Sequence, residues 1–271
     1  MSAYWALVSV RFRMLLQYRT AAFAGFITQL FWGSIRLMIL AAFYAAAQGR
    51  QPISLAELVP YVWLGQALLG LLPWNVDQEI ATNVRTGGVA YEMLRPLDLY
   101  LNWFTRTLAF RCAGTLLRMV PLLVFAMLML PLVGLREWAM PLPASLGAGL
   151  SFAASLCATV LLSVAVTMLM HIGLIWTLAG DGFNRAMPGI VSVLSGMTIP
   201  LPLFPDWLQP FLYWQPLRGL ADVPYRIYSG NIAGSAAMLE ILQQFAWAIV
   251  LAAVGYALLQ RGSRRLVVQG G

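Results

Sequence analysis

NVRTGGVAYEMLRPLDLYLNWFTR, residues 83–106, is a polar island in a chain that is otherwise mostly apolar. It holds Arg85, Arg95, Arg106, Glu92 and Asp98, together with a Gly87-Gly88 pair and Pro96. Glycine tolerates positive φ, so Gly87-Gly88 permits a tight reversal. Proline disfavours helix at the residue before it, so Pro96 closes a short helix over residues 89–95. Residues 97–111 then read as the helical lead into the next apolar block. A simple turn needs only a few residues. A stretch this long, with a short stiff helix inside it, is suited to receive a push from a soluble partner.

The flanks of the island decide the fold class. Of 271 residues, 61% are hydrophobic and 10% charged, against about 25% charged in a typical soluble domain. The apolar residues fall in blocks of about twenty, enough to cross a hydrocarbon core of ~30 Å. The reading is an all-α integral membrane protein, a single transmembrane domain over residues 1–271. Six transmembrane helices are expected, at about residues 22–46, 58–80, 107–132, 145–172, 186–204 and 238–260. The net charge of +7 comes from seventeen arginines and no lysine. They gather at the ends of the apolar blocks, which points to the membrane surface and not to nucleic acid.

Residues 2–19 form an amphipathic helix lying in the interface. Trp5, Val8, Phe12, Leu15 and Leu16 share one face at helical spacing, and Arg11 and Arg13 reach outward to lipid headgroups. Arg36 lies near the middle of the first span, where a charge costs about 2.5–3.5 kcal/mol on insertion scales. It must therefore face protein or water. In the second span Trp63 and Trp74 mark the ends and Pro73 kinks the helix. Arg118, inside the third span, snorkels or pairs. The fourth span is rich in Ala, Ser, Gly and Thr, which let helices approach closely. His171, near its end, reads as a packed residue. Cys112 and Cys157 lack metal-ligand spacing and read as small buried hydrophobes.

Residues 199–230 carry six of the fifteen prolines: Pro200, Pro202, Pro205, Pro210, Pro216 and Pro224. A continuous span cannot hold them, so short broken helices are expected there, with Trp207, Tyr213, Trp214, Tyr225 and Tyr228 as an interfacial belt. With six spans both termini share a side. That side holds eleven arginines and the opposite side four. Positive charge in short loops stays cytoplasmic, which places both termini and residues 83–106 in the cytoplasm and residues 199–230 outside.

Several chemistries are excluded. One histidine cannot build a zinc protease site. No serine sits in a nucleophile-elbow sequence, and a chain without lysine has no phosphate-binding loop of the P-loop type. No carboxylate lies mid-span to couple an ion gradient. Energy for transport would come from a separate subunit. A self-contained channel or secondary transporter using Arg36 to attract an anion, or a non-transporting scaffold, are the alternatives.

The basic amphipathic N-terminus, TGGVAYEMLRPLDLY after the second span and SGMTIPLPLFPDWLQPFLYWQPLRGLADVPYRIYSG after the fifth together resemble the permease subunits of ABC-2 type transporters. Within them the resemblance is to the bacterial drug- and viologen-exporter-like group. It covers essentially the whole chain. It implies a non-catalytic subunit of the bacterial cytoplasmic (inner) membrane that exports an apolar or amphipathic substrate. Relatives are linked to amphipathic cations and drugs. Residues 2–19 would be the interfacial connecting helix, with Trp5, Arg11, Phe12 and Arg13 its marked residues. Residues 89–95 would be the cytoplasmic coupling helix, with Arg85, Gly87, Gly88, Tyr91, Glu92, Leu94, Arg95 and Pro96 forming the contact with the ATPase. Residues 199–230 would hold re-entrant extracellular helices. The pathway would lie between paired permeases, with Arg36, Met197 and Phe204 as candidates. Partners would be two ABC ATPase subunits, which bind ATP and magnesium, and a second ABC-2 permease, identical or different, a different chain being favoured in this group. No cofactor would bind the permease itself.

Overall fold

The computed structural model describes residues 3–17, 19–47, 51–177 and 181–263. Among them four helices are long and apolar enough to cross a membrane: Ala22–Ala46, Leu99–Leu132, Leu146–Thr177 and Gly234–Ser263. The first lies within α2 (Arg19–Ala46), which follows α1 (Ala3–Leu15). The second joins α6 (Leu99–Val124) through a π-turn, Phe125–Met129, to the short α7 (Leu130–Leu132). The third is α8 (Leu146–Thr177). The fourth is α12 (Gly234–Ser263).

The second and fifth apolar blocks are not long continuous helices. Block two is α3 (Leu55–Ala67), opened by a capping box between Ser54 and Glu57. A single 3-10 turn, Leu69–Leu71, follows, and the chain then runs extended. Pro73 is the cause: the residue before proline is pushed out of the helical region, and Leu72 sits at φ −67°, ψ 134°. The expected kink at Pro73 is thus a break. Helix resumes at α4 (Gln78–Thr86), capped by Asp77 and closed by Gly87 at φ +76°. Block five is α9 (Asp181–Leu194), ending before Gly196 at φ +83°. At 1.5 Å per residue α3 and α9 are each about 20 Å long.

Residues 89–95 fold as α5 (Val89–Met93), two residues shorter than the expected helix, and Asp98 caps α6. Residues 199–230 form short helices as expected: 3-10 turns at Leu201–Leu203, Asp206–Leu208 and Pro216–Leu220, with α10 (Gln209–Trp214) and α11 (Asp222–Tyr228). The aromatic belt is divided. Trp207, Tyr213 and Trp214 are exposed, whereas Tyr225 and Tyr228 are buried, because α11 packs inward on α8 and α3. Trp63 likewise is a core residue, donating from Nε1 to the Trp138 carbonyl at 2.8 Å. Cys157 is exposed and Cys112 half-buried, so neither is fully buried.

Helix α8 is the hub, packed by α12, α11, α6 and α4. A polar residue recurs at every fourth position down one side of it: Ser155, Thr159, Ser163, Thr167 and His171, all buried. Each has a partner on a broken or neighbouring element. Ser155 donates to Gln244 Oε1 at 2.8 Å. Thr159 donates to the Gly219 carbonyl at 2.9 Å, and Ser163 donates to the Leu71 carbonyl. Thr167 Oγ1 accepts from Arg111 at 3.1 Å, and His171 Nε2 accepts from the Asp77 amide at 2.8 Å. Interrupted backbone is tolerated at membrane depth only where other groups complete its hydrogen bonds. This stripe bonds the Leu71 carbonyl, the Asp77 amide and the Gly219 carbonyl directly. The π-turn is treated the same way. Leu130 N–H bonds to Phe125, and the Ala126 carbonyl it leaves free accepts from Met140 N–H at 3.0 Å.

Candidate functional site

One end of the bundle gathers α1, α4, α5 and the start of α6. Arg11 of α1 donates to Asp77 Oδ2 and to Glu79 Oε2, both at 2.9 Å. The sequence reading sent Arg11 outward to lipid. Two carboxylates within reach offer charge-assisted bonds instead, and these are stronger than neutral ones. Arg13 is exposed, as is Trp5, and Phe12 is half-buried. Tyr4 Oη accepts from the Asp98 amide at 3.0 Å, fastening α1 to the start of α6.

Glu92 is the centre of the junction. It is 7% exposed and accepts three bonds: from Trp103 Nε1 at 2.6 Å, Asn83 Nδ2 at 2.7 Å and Arg106 Nη1 at 3.1 Å. Arg106 Nη2 stands 2.9 Å from Glu79 Oε2 as an ion pair, off hydrogen-bond alignment. Asp77 and Glu79 are therefore shared between Arg11 and Arg106. The sequence grouped Glu92 with the docking residues; here it faces inward and moors α5 to α6. Trp103, Asn83 and Arg106 are the mooring residues that pattern reading missed. The spacing of Trp103 and Arg106 behind Glu92 carries no clue until α4–α5 folds back on α6.

The outer side of α5 carries the opposite character. Tyr91 is 77% exposed, Leu94 82% and Met93 48%. Arg85, Gly87, Arg95 and Pro96 are exposed beside them, and Gly88 is half-buried. A Cβ on Gly88 would come within 3.2 Å of Asn83 Oδ1, so Gly88 lets the reversal close tightly. An apolar knob ringed by arginines, on a helix held from beneath by buried bonds, has the anatomy of a protein-docking site.

At the far end, Arg36 donates to the Met197 and Thr198 carbonyls. Two of the pathway candidates, Arg36 and Met197, thus meet; Phe204 is half-buried nearby in sequence. Tyr61 Oη donates to the Gly196 carbonyl at 2.9 Å. Glu57 accepts from Asn231 Nδ2 at 3.0 Å, tying α3 to the turn after α11. Burial alone would raise the Glu57 carboxyl, but bonds from Ser54 and Asn231 and the charge of Arg226 outweigh it and hold it below the usual range. No group of three metal-binding side chains occurs among the described residues.

A family model described as ABC-2 family transporter protein matches residues 30–270. The chain belongs to that family. No curated protein and no solved structure matches it. As an ABC-2 family member it is a membrane component of a transporter, which agrees with the four long apolar helices. ABC transport implies ATPase partners.

Proposed function

We propose that this chain is the permease subunit of an ATP-driven ABC-2 exporter that moves an apolar or amphipathic substrate out of the cell by alternating access. The observation that carries the reading is the α5 knob: Tyr91, Met93 and Leu94 outward, Glu92 buried beneath them on Arg106 and Trp103. ATP and magnesium would bind the partner ATPase. Closure of an ATPase dimer would move each docked α5, and the Glu92–Arg106 contact would pass that movement into α6 without slack. Arg11 would pass it to α1 through Asp77 and Glu79.

In this reading the chain crosses the membrane six times. Four crossings are the long helices; residues 58–80, and α9, are the two broken ones. Both termini and α5 face the cytoplasm, and residues 199–230 close the outer end, where Arg36, Met197 and Phe204 flank the path. Two ATPase subunits and a second, different ABC-2 permease complete the assembly in the bacterial inner membrane.

The test is capture of an ABC ATPase by this chain when it is purified from its native membrane. Tyr91→Ala with Leu94→Ala is expected to leave the permease folded and to abolish both ATPase co-purification and ATP-driven transport. Unchanged capture and transport would remove α5 from the contact.

A further inference from the structure

A cavity of about 320 Å³ opens between the broken stretch after α3 and the middle of α6. Its wall is Leu69, Gly70, Leu72, Trp74, Asn75, Phe110, Arg111, Gly114 and Arg118, so it holds two guanidinium groups and no carboxylate. Arg111 is engaged by the broken backbone, donating to the Leu72 carbonyl at 2.9 Å and to the Asn75 carbonyl at 2.7 Å. Arg118 has no hydrogen bond or ion pair among the described residues, although it is half-buried in the middle of a long apolar helix. Its side chain lies against α2, where a Cβ on Gly25 would come within 2.6 Å of Arg118 Nε. Arginine keeps its charge in proteins, and intramembrane charge without a partner is costly. The wall therefore presents fixed positive charge, with the N–H groups of Arg118 unpaired, beside Trp, Phe and Leu surfaces.

We propose that this cavity binds the anionic head of an amphiphile, a carboxylate or phosphate, with Arg118 as its principal partner and its hydrocarbon lying along Trp74 and Phe110. An anion would supply the partner that Arg118 lacks, through a charge-assisted bond, which is stronger than a neutral one. Cationic amphiphiles are repelled by the same two guanidinium groups. Gly114 leaves the space open: nothing stands within 4 Å of where its Cβ would be. As a substrate class the inference rests on the exporter reading; as a binding site it does not.

The test uses the purified full-length chain in phosphatidylcholine nanodiscs, with tryptophan fluorescence quenched by dibrominated stearate, its methyl ester, or a dibrominated alkyl trimethylammonium. The carboxylate is expected to quench saturably and at least about tenfold more tightly than either other probe, the scale of one charge-assisted contact. Trp74→Phe should remove most of the saturable amplitude. Arg118→Gln should weaken binding about tenfold, and Arg118→Lys should recover part of it. Gly114→Leu, which fills the cavity and leaves every charge in place, should abolish it. Competition by phosphatidylglycerol in the disc would identify a lipid headgroup as occupant; its absence would identify a free amphiphile. Equal affinity for acid, ester and ammonium on the unaltered chain overturns the proposal without recourse to any variant, as does unchanged binding in both Arg118→Gln and Gly114→Leu. The assay contains neither ATP nor ATPase, so failure here leaves the ATPase-capture result standing, and the reverse.

Discussion

Replacing Glu92 by alanine tests whether α5 is moored to α6 or merely adjacent. The carboxylate serves three donors, and Trp103, whose Nε1 donates at 2.6 Å, is fully buried. A buried donor left without an acceptor costs about 1–3 kcal/mol. Breaking a buried ion pair costs about 3–5 kcal/mol. The low end applies to Arg106, which keeps Glu79 at 2.9 Å, although that partner is more than half exposed. Together the loss is about 4–6 kcal/mol. At roughly 2–4 °C per kcal/mol for a chain near this size, the thermal midpoint should fall by on the order of 10 °C. The assay is thermal unfolding of the purified chain in detergent, followed by tryptophan fluorescence. Glu92→Gln retains the shape and one acceptor and should lose about half as much. A double-mutant cycle pairing Glu92→Ala with Trp103→Phe should show coupling of about 1 kcal/mol or more. If Glu92→Ala melted within about 2 °C of the unaltered chain, the mooring argument would be refuted, and α5 could not transmit a push into α6 as derived.

Other substitutions probe the broken segments. Ser163→Ala strands the Leu71 carbonyl at membrane depth and should cost about 1–3 kcal/mol; Ser34→Ala, whose hydroxyl bonds only to its own helix at Leu30, should be near neutral in the same melt. Arg36→Gln withdraws the guanidinium from the Met197 and Thr198 carbonyls. Hydrogen exchange should quicken across residues 195–204 and not in α8; equal exchange in both would dismiss that role. Glu57 gives a pH test. Its folded pKa is depressed, so its stabilising contribution is complete above the ordinary carboxylate value of about 4.3 and is lost as pH falls through the lower folded value. The melting difference between the unaltered chain and Glu57→Gln should therefore shrink on acidification below that value; a difference that grew would reverse the sign.

The interrupted segments are held by side chains from α8 and, at Leu72 and Asn75, by Arg111 of α6. The same polar stripe fixes residues 71–77 against α8 at one end and 216–220 against it further along.

Composition and periodicity alone determined the class of molecule. Blocks of apolar residues long enough to span hydrocarbon allow only helices, because every backbone group must then be bonded within the segment. Six prolines in residues 199–230 forbade a continuous helix there, and Gly87-Gly88 with Pro96 marked a short one. Those are local consequences of chain geometry. What the chain order could not reveal was which polar groups would meet. Residues 58–80 read as a span kinked at Pro73, yet Pro73 breaks them, and the break survives because Ser163 and Arg111 from other helices complete its bonds. Glu92 looked like a surface charge beside Tyr91 and Leu94, yet it is turned inward by Trp103 and Arg106. Arg11 faced lipid on a helical wheel and meets Asp77 and Glu79 in space. Each reversal has the same physical origin: a charge or a carbonyl in low dielectric goes to its best partner, and that partner is set by tertiary packing rather than by neighbours in the chain.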